Sequence, residues 1–256
     1  MDNKEVYEKF DWSSLKHEDL KDKIKKILDV IPSDVKNIID IGCGNGVITN
    51  VLGSSFDVTA VDRSEKALSY VKTKKVQASA DNIPLKDGEF DMVFSSELLE
   101  HLEDNTFKKS ITEIKRLSSN YVFITVPNGE NPDKLSIKCP SCNYIFNSPN
   151  HLRSFKKKDF ISLFPEFEIL TSFTYGKSVR YYNKTILNIK KKITPSDSWI
   201  PYYWIPKEKR NKSCPSCEYQ FSYDYKFNPI STSLDIINAL ISPKKDYWLF
   251  ILMKKK

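Results

Sequence analysis

Residues 38–46 read IIDIGCGNG, an apolar run that turns directly into three glycines within five positions. The whole chain contains only seven glycines, so chance is a poor explanation for Gly42, Gly44 and Gly46 lying together. Consecutive apolar residues predict a buried parallel strand. Glycines after such a strand leave backbone N–H groups uncovered at the start of a helix, where a ligand can approach closely.

Strand-like and helix-like segments alternate on both sides of this turn. A helical stripe is predicted over residues 17–31, and the strands predicted up to Pro127 cover residues 37–41, 57–62, 75–80, 90–94 and 121–126. The helices between them are predicted at 47–52, 64–72 and 107–117. After Pro127 the pattern predicts a helix at 156–164, a strand at 167–175, an irregular stretch containing a helix at 233–241, and a final strand at 247–253. Alternating strands and helices predict a parallel sheet covered by helices on both faces.

Acidic residues stand at the ends of the first three strands. Asp62 follows Asp40 by 22 residues, and Asp81 follows Asp62 by 19 residues. The carboxyl ends of parallel strands share one edge of the sheet, so these carboxylates are expected to lie near the glycine turn. A carboxylate at the end of the second strand can accept hydrogen bonds from both hydroxyls of a ribose.

Four motifs in this order resemble those of the class I S-adenosylmethionine-dependent methyltransferases: IIDIGCGNG, then VDRS at 61–64, ADNIPL at 80–85 and FDMVFSS at 90–96. The resemblance covers about residues 35 to 175 and resumes at the final strand. Rossmann oxidoreductases use a Gly-x-Gly-x-x-Gly turn, whereas this turn reads Gly-x-Gly-x-Gly. The resemblance implies a Rossmann-like seven-stranded methyltransferase sheet, mostly parallel with the last strand antiparallel, and S-adenosylmethionine as the cofactor.

The resemblance also implies which residues hold that cofactor. Gly42 and Gly44 would line the methionine moiety, Asp62 the ribose, Asp81 with Asn82 and Ile83 the adenine, and Ser95 the end of the fourth strand beside the sulfonium. The full implied set is Asp40, Gly42, Cys43, Gly44, Asp62, Arg63, Asp81, Asn82, Ile83 and Ser95.

A second group follows the fourth strand, where Ser96–His101 reads SELLEH. On a helix, Glu97, Glu100 and His101 would share one face. Glu-x-x-Glu-His resembles the metal-binding word of ubiquinone-pathway O-methyltransferases and small-RNA 2′-O-methyltransferases, which also use a histidine after strand five, where His151 stands. The resemblance implies a catalytic magnesium or manganese site. The alternative is a pocket role for His101 without any metal, because Leu-Glu-His-Leu is common in small-molecule methyltransferases.

Four of the five cysteines fall in two identical words, CPSC at 139–142 and at 214–217. Paired Cys-x-x-Cys words predict a tetrahedral zinc site formed by Cys139, Cys142, Cys214 and Cys217. Disulfides are the alternative, and a reducing compartment disfavours them. Cys43, the remaining cysteine, is expected to lie in the glycine turn without reacting.

These motifs divide the chain into six predicted parts. They are an N-terminal helical segment (1–31), a Rossmann-like S-adenosylmethionine-binding core (32–135), a first zinc knuckle (136–150), a core helix and strand (151–176), an insertion with the second knuckle (177–245) and a final core strand (246–256). The zinc ribbon is expected at the carboxyl edge of the sheet. The aromatic residues of the insertion, among them Tyr202 and Tyr203, are expected either to form a small core around the knuckles or to hold an acceptor.

The composition of the chain limits the classes of partner that are expected for it. Apolar residues make up 40% and charged residues 29%, and no apolar run is long enough to span a bilayer. The charged N-terminus leads into no apolar segment, which predicts a cytoplasmic protein without a secretory signal. The net charge is +7, but only five of the forty basic residues are arginines. The charge is therefore expected to reflect a lysine-rich surface that favours solubility rather than a surface that binds nucleic acid.

The predicted function is methyl transfer from S-adenosylmethionine to a hydroxyl of a small molecule or glycan precursor. One alternative is an RNA methyltransferase that uses the zinc ribbon and lysines to hold the backbone. Another is a non-catalytic binding protein on the same fold. The sequence names neither the acceptor nor the oligomeric state.

Overall fold

The computed structural model describes Glu8 and residues 11–201, 204–205 and 207–256. These residues form two compact units, each built from more than one segment of the chain. The core unit contains the residues up to Asn128, Phe155–Gly176 and Trp248–Lys256. The insertion unit contains Gly129–Ser154 and Lys177–Tyr247.

The regular elements of the first half of the chain alternate as predicted. In order they are α1 (His17–Leu28), β1 (Asn37–Ile41), α2 (Thr49–Leu52), β2 (Asp57–Asp62), α3 (Glu65–Leu68), β3 (Lys74–Gln77), β4 (Phe90–Ser96), α4 (Asp104–Leu117) and β5 (Ser118–Pro127).

The second half supplies the remaining elements. In order they are β6 (Ser136–Lys138), β7 (Ile145–Asn147), α5 (Lys157–Leu163), β8 (Phe167–Arg180), α6 (Lys184–Ile193), β9 (Asn211–Ser213), β10 (Gln220–Ser222), α7 (Pro229–Ile241) and β11 (Lys244–Lys255).

One sheet organises the core unit. In the described chain it has seven strands in the order β3-β2-β1-β4-β5-β11-β8. The pairs β1/β2, β2/β3, β1/β4 and β4/β5 are parallel, and β11 runs antiparallel to β5. The predicted fold class, a mostly parallel Rossmann-like sheet with an antiparallel last strand, is confirmed.

Two apolar layers cover this sheet. Strand residues alternate between the faces, so Ile39 and Val93 lie in one buried cluster, and Ile38 and Phe94 lie in the other. Helix α4 closes the first cluster with Ile111, Ile114 and Leu117, which its helical spacing places on one side. Strands buried on both faces leave only their ends for a ligand, which positions a site at the turns after β1, β2 and β4.

The insertion unit is built from short hairpins and two helices. Strands β6 and β7 pair antiparallel, and so do β9 and β10. Helices α6 and α7 pack against each other. A small buried cluster joins the hairpins and contains Cys139, Cys214, Phe146, Trp199 and Tyr223.

The helix α6 was not predicted. Its sequence KTILNIKKKI was included in the irregular stretch, because lysines interrupt its apolar pattern. Asn183 provides the start that the pattern lacked, since its side chain accepts hydrogen bonds from the N–H groups of Thr185 and Ile186. Tyr202 and Tyr203 lie outside the described residues. Of the other aromatic residues of the insertion, Tyr182 and Trp199 are buried inside the insertion unit.

Candidate cofactor and cysteine sites

The glycine turn has the backbone conformation that its sequence predicts. Gly42 has φ +78° and Gly44 has φ +54°, a region that side chains disfavour. A Cβ on Gly42 would lie 2.8 Å from Leu98 Cδ1, and one on Gly44 would lie 2.8 Å from Trp12 Cζ3. Both positions therefore require glycine, for backbone conformation and for space.

Asp62 links this turn to the end of β2. Its Oδ2 accepts a hydrogen bond from the Gly44 N–H at 2.9 Å, and its Oδ1 accepts one from the Ser64 N–H at 2.9 Å. Burial raises the pKa of Asp62, although these backbone donors oppose the shift. A carboxylate offers about four acceptor positions, so the two bonds leave capacity for ligand hydroxyls.

Asp40 is the most perturbed acid of the turn. It is 2% exposed, and the Thr49 hydroxyl donates a hydrogen bond to its Oδ2 at 2.6 Å. Burial raises its pKa to about 7, and the charge of Asp62 adds to the shift. A positively charged ligand group in this turn would favour ionisation of Asp40, because an opposite charge lowers the pKa of a carboxyl.

The turn containing Asp81, Asn82 and Ile83 is anchored by α4. Ser79 donates a hydrogen bond to Asp81, and the Ile83 N–H donates to Glu113 Oε2 at 2.8 Å. Arg116 bonds Glu113 and the Ile83 carbonyl, and its hydrogen bond holds the pKa of Glu113 below its usual value. Glu113 and Arg116 were missed in the sequence, where their i,i+3 spacing on a helix was the available signal.

The remaining predicted cofactor residues surround the same strand ends. The buried Ser95 hydroxyl donates to the Ile41 carbonyl at 2.9 Å, which ties the end of β4 to the start of the glycine turn. Arg63 follows Asp62, and its carbonyl accepts a hydrogen bond from Gln77 at 3.3 Å. Cys43 packs against the Ala60, Leu68 and Val71 cluster, and burial raises the pKa of its thiol.

The predicted helical face of Glu97, Glu100 and His101 is wrong. β4 continues to Ser96, Glu97 has φ +54°, and only Leu99–His101 form a short 3₁₀ turn. Glu97 instead bonds Lys23 of α1 at 3.1 Å. Glu100 is fully buried in the core unit, and His101 is half-buried. The left-handed residue after β4 breaks the helical register that the spacing argument assumed.

His151 lies in the insertion unit beside a carboxylate that the sequence analysis missed. Its Nδ1 contacts Glu130 directly, and its backbone N–H donates to Asn147 Oδ1 at 2.8 Å. His151 is 6% exposed. A carboxylate on one ring nitrogen fixes the orientation and tautomer of an imidazole. An acid just after strand five was the signal for Glu130.

The two cysteine words come together. The four Sγ atoms lie within 4.8 Å of one another, with Cys139 3.7 Å from Cys217 and Cys142 3.6 Å from Cys214. A tetrahedral zinc with Zn–S distances of about 2.3 Å separates its sulfurs by about 3.8 Å. All four thiols are free of disulfides. The residues present fit a tetrahedral ion of this size.

Both words adopt the same local structure. Each occupies the turn of a hairpin, β6/β7 or β9/β10, and the residue after its second cysteine has positive φ: +64° at Asn143 and +58° at Glu218. The first cysteine donates its backbone N–H to an aromatic residue's carbonyl, Tyr144 at 2.9 Å in one word and Tyr219 at 3.0 Å in the other. The duplication in the sequence is thus a duplication in structure.

The thiols are electrostatically coupled. Burial opposes ionisation of Cys139, but N–H groups of Cys142 and Ser141 outweigh it and lower its pKa to about 7. Burial, together with the neighbouring thiols, raises the pKa of Cys214 to about 12. Groups this close lose their protons one after another, and a divalent cation would remove the repulsion between the resulting thiolates.

Residues 39–121 match the family model described as a methyltransferase domain. An uncharacterised protein of Methanocaldococcus jannaschii is 29% identical over 177 residues, 68% of this chain and 70% of that protein. A ubiquinone biosynthesis O-methyltransferase of Aromatoleum aromaticum is 38% identical over 80 residues, which is 27% of this chain and 34% of that enzyme.

Solved structures share the fold. A S-adenosylmethionine-dependent methyltransferase of Archaeoglobus fulgidus superposes with a TM-score of 0.55 at 16% identity, covering 94% of this chain and 95% of that chain. With the glycine turn and the strand-end acids, the match to a methyltransferase domain and the similarity to the O-methyltransferase support a class I S-adenosylmethionine-dependent methyltransferase. Residues 39–121 therefore form a methyltransferase domain, and the match supports S-adenosylmethionine as the methyl donor.

Proposed function

We propose that the enzyme transfers the methyl group of S-adenosylmethionine to a hydroxyl of a small molecule or glycan precursor. The observation that carries the acceptor class is the similarity to the ubiquinone biosynthesis O-methyltransferase. That relative aligns over about a third of its own length, so the match supports a class of acceptor and not a particular one.

In this proposal the core unit holds the cofactor through the turns after β1, β2, β3 and β4. Asp62 accepts the ribose hydroxyls, and Gly42 and Gly44 line the methionine moiety, whose positive charge favours the ionised form of Asp40. The turn anchored by Glu113 and Arg116 presents the adenine contacts. The proposed cofactor residues are Asp40, Gly42, Cys43, Gly44, Asp62, Arg63, Asp81, Asn82, Ile83 and Ser95.

Methyl transfer from a sulfonium requires little general acid–base catalysis from the protein. The sulfonium is already an activated electrophile, so aligning the acceptor oxygen with the methyl group supplies much of the acceleration. A proton acceptor is needed only when the hydroxyl starts protonated. His101 is the proposed proton acceptor, because it follows β4 at the edge where the cofactor turns lie and histidine is the side chain that most often acts as a general base.

A divalent cation is the second route by which the hydroxyl would lose its proton. Of the predicted ligands in the core unit, Glu97 pairs with Lys23, and Glu100 and His101 remain the candidates. Chelated enzyme resupplied with zinc and then titrated with magnesium or manganese tests this route. A rise in turnover with the added cation supports it. Unchanged turnover leaves His101 to act alone.

We further propose that Cys139, Cys142, Cys214 and Cys217 bind one structural zinc ion. The donor set and the sulfur separations support a closed tetrahedral site, and two identical knuckles supply two thiolates each. Bound metal would hold the two hairpins of the insertion unit together, since β6/β7 and β9/β10 are distant in sequence.

The acceptor class is tested by incubating the purified enzyme with labelled S-adenosylmethionine and fractionated extract of its source cells. Label should enter the small-molecule or glycan fraction, and base-stable ether linkage would identify O-methylation. His101→Gln should remove turnover while cofactor affinity stays the same. Label found only in RNA would contradict the proposed acceptor and establish the alternative substrate.

A further inference from the structure

Helix α7 turns an apolar face to the solvent. Five aliphatic side chains on it are exposed, from 46% for Ile237 to 80% for Leu240. The full set is Ile230, Ile236, Ile237, Leu240 and Ile241. Their spacings of three, four and seven residues place them on one side of the helix. Phe227, just before the helix, is 71% exposed.

The inward side of the same helix is polar. Ser231 donates to the Ser198 carbonyl at 2.6 Å, and Asn238 bonds the Tyr181 carbonyl at 3.1 Å. Asp235 pairs with the buried Lys190 at 2.6 Å. A helix on the surface of a globular protein normally has the opposite arrangement, with its apolar stripe inward. These hydrogen bonds fix α7 with its apolar face outward.

The charge of the chain is concentrated in the unit that carries this face. The insertion unit contains 16 basic and 8 acidic residues, whereas the rest of the chain contains 24 basic and 25 acidic residues. The exposed face of α7 has no charge, because Asp235 is the helix's one charged residue and points inward. Lys226 and Lys244 flank the helix in sequence and are both exposed, and Lys226 pairs with Asp197 Oδ2 at 3.2 Å.

We propose that the insertion unit docks on a membrane surface rich in anionic lipids, with the apolar face of α7 lying in the interface. Exposed aliphatic residues would enter the boundary between headgroups and acyl chains, and the surrounding lysines would face lipid phosphates. No helix among the described residues is long and apolar enough to cross the bilayer, so the contact is peripheral. This property is separate from the proposed methyl transfer.

Charge decides between the possible occupants of this face. A second copy in a two-fold dimer would bring the same lysine-flanked surface against itself, which opposes association. An RNA backbone would pair with the lysines, but it offers nothing to an uncharged aliphatic face. An anionic bilayer complements both the lysines and the aliphatic side chains.

Co-sedimentation of the full chain with vesicles tests the proposal. Binding to an equimolar mixture of phosphatidylcholine and phosphatidylglycerol should exceed binding to phosphatidylcholine alone by about tenfold or more, and salt should weaken it. Leu240→Glu should reduce the binding by a similar factor, because a carboxylate would enter the interface. Ile161→Glu is the matched control, since Ile161 is 60% exposed on α5 of the core unit.

Two further measurements keep each outcome decisive. Thermal unfolding of Leu240→Glu should match the parent, and Lys226→Gln with Lys244→Gln should lower binding to the anionic vesicles without touching the apolar face. Absence of vesicle binding, or equal binding by Leu240→Glu, would overturn the proposal. A dimer of the parent chain that Leu240→Glu dissociates would also overturn it. So would RNA that displaces the parent from the vesicles while Leu240→Glu binds RNA as well as the parent does.

Discussion

Both units bury charged side chains, but the core unit does so beside a large apolar sheet, whereas the insertion unit has only a small apolar cluster and an interior pair of Lys190 and Asp235. Lys190 is fully buried, bonded to Asp235 and to the Trp199 carbonyl, and its ammonium lies 5.6 Å from the ring centroids of Tyr182 and Trp204. Apolar burial tolerates local change, because it is non-directional. Buried polar pairs and a metal site fail as a whole when one member is removed.

Loss of the proposed zinc should give the largest difference between the two units. Cys214→Ser removes one of four ligands, and the apparent binding free energy of a structural zinc site is about 10–16 kcal/mol. Hydrogen exchange of the variant should rise throughout the insertion unit, while the strands of the core unit stay protected.

Ser216→Ala is the control, because Ser216 lies in the same knuckle without being a predicted ligand. Metal analysis should find about one zinc per chain in the parent. A parent without zinc, purified in the absence of chelator, would contradict the site, as would an unchanged exchange pattern in Cys214→Ser.

The next largest effect is expected from the buried lysine. Burial lowers the pKa of Lys190, and the hydrogen bond to Asp235 opposes that shift. Lys190→Met should destabilise the insertion unit by about 3–5 kcal/mol, because it leaves a buried carboxylate without its ion partner. Lys192→Met, at an exposed position of the same helix, should have little effect. Chemical denaturation, monitored by hydrogen exchange in each unit, compares the stability of the two variants. Equal losses of stability in Lys190→Met and Lys192→Met would show that the Lys190–Asp235 pair does not stabilise the insertion unit.

Asp40 should make the core unit pH-sensitive. Its folded pKa of about 7 lies above the unfolded value of 3.8, so the folded state binds a proton that the unfolded state has lost. Stability of the cofactor-free protein should therefore fall as the pH rises from about 5 to about 8, by about 2–3 kcal/mol from this group.

Asp40→Asn isolates that contribution, because Asp62 shifts in the same direction and remains in the variant. Urea unfolding at the two pH values should show a smaller decrease for Asp40→Asn than for the parent. Parallel pH dependences in the two proteins would mean that Asp40 does not carry the shift.

The smallest effect is expected at the ion pair between Lys23 and Glu97, the residue that the sequence predicted as a metal ligand. Lys23 is almost fully buried, so Glu97→Gln should cost about 1–3 kcal/mol by leaving its ammonium without a carboxylate. Asp29→Asn removes an exposed pair with Lys25 and should change stability by less than about 1 kcal/mol. A larger loss in Asp29→Asn than in Glu97→Gln would reverse this ranking.

The sequence was most informative where backbone geometry alone determines structure. Gly42 and Gly44 require a tight turn after β1, because their backbone conformation disfavours other residues. Asp62, 18 residues after Gly44, then indicates the end of the neighbouring strand β2. The duplicated cysteine word behaved in the same way, because the tight turn between its two cysteines repeats with the same local conformation in both copies.

The sequence was least informative where tertiary contacts override local pattern. Glu97 continues a helical spacing in the sequence, but the structure gives it a left-handed conformation and an ion pair with Lys23, 74 residues away. Helix α6 was missed because lysines interrupt its apolar pattern and one of its two buried residues is Lys190. Glu130 was missed because its partner, His151, is distant in sequence. The spacing of apolar residues along the sequence does not reveal contacts between polar residues that are distant in the chain.

Calorimetric titration with S-adenosylmethionine tests the central claim, that the strand-end acid and the glycine turn of the core unit hold the methyl donor. The parent chain should bind S-adenosylmethionine in preference to a nicotinamide dinucleotide. Asp62→Ala should lose about 3 kcal/mol or more, since two ribose hydrogen bonds to a charged group disappear at about 1.5–3 kcal/mol each. Asp57→Ala, at the opposite and exposed end of the same strand, should bind like the parent. Equal affinity in Asp62→Ala and the parent, or a preference for the dinucleotide, would contradict the account.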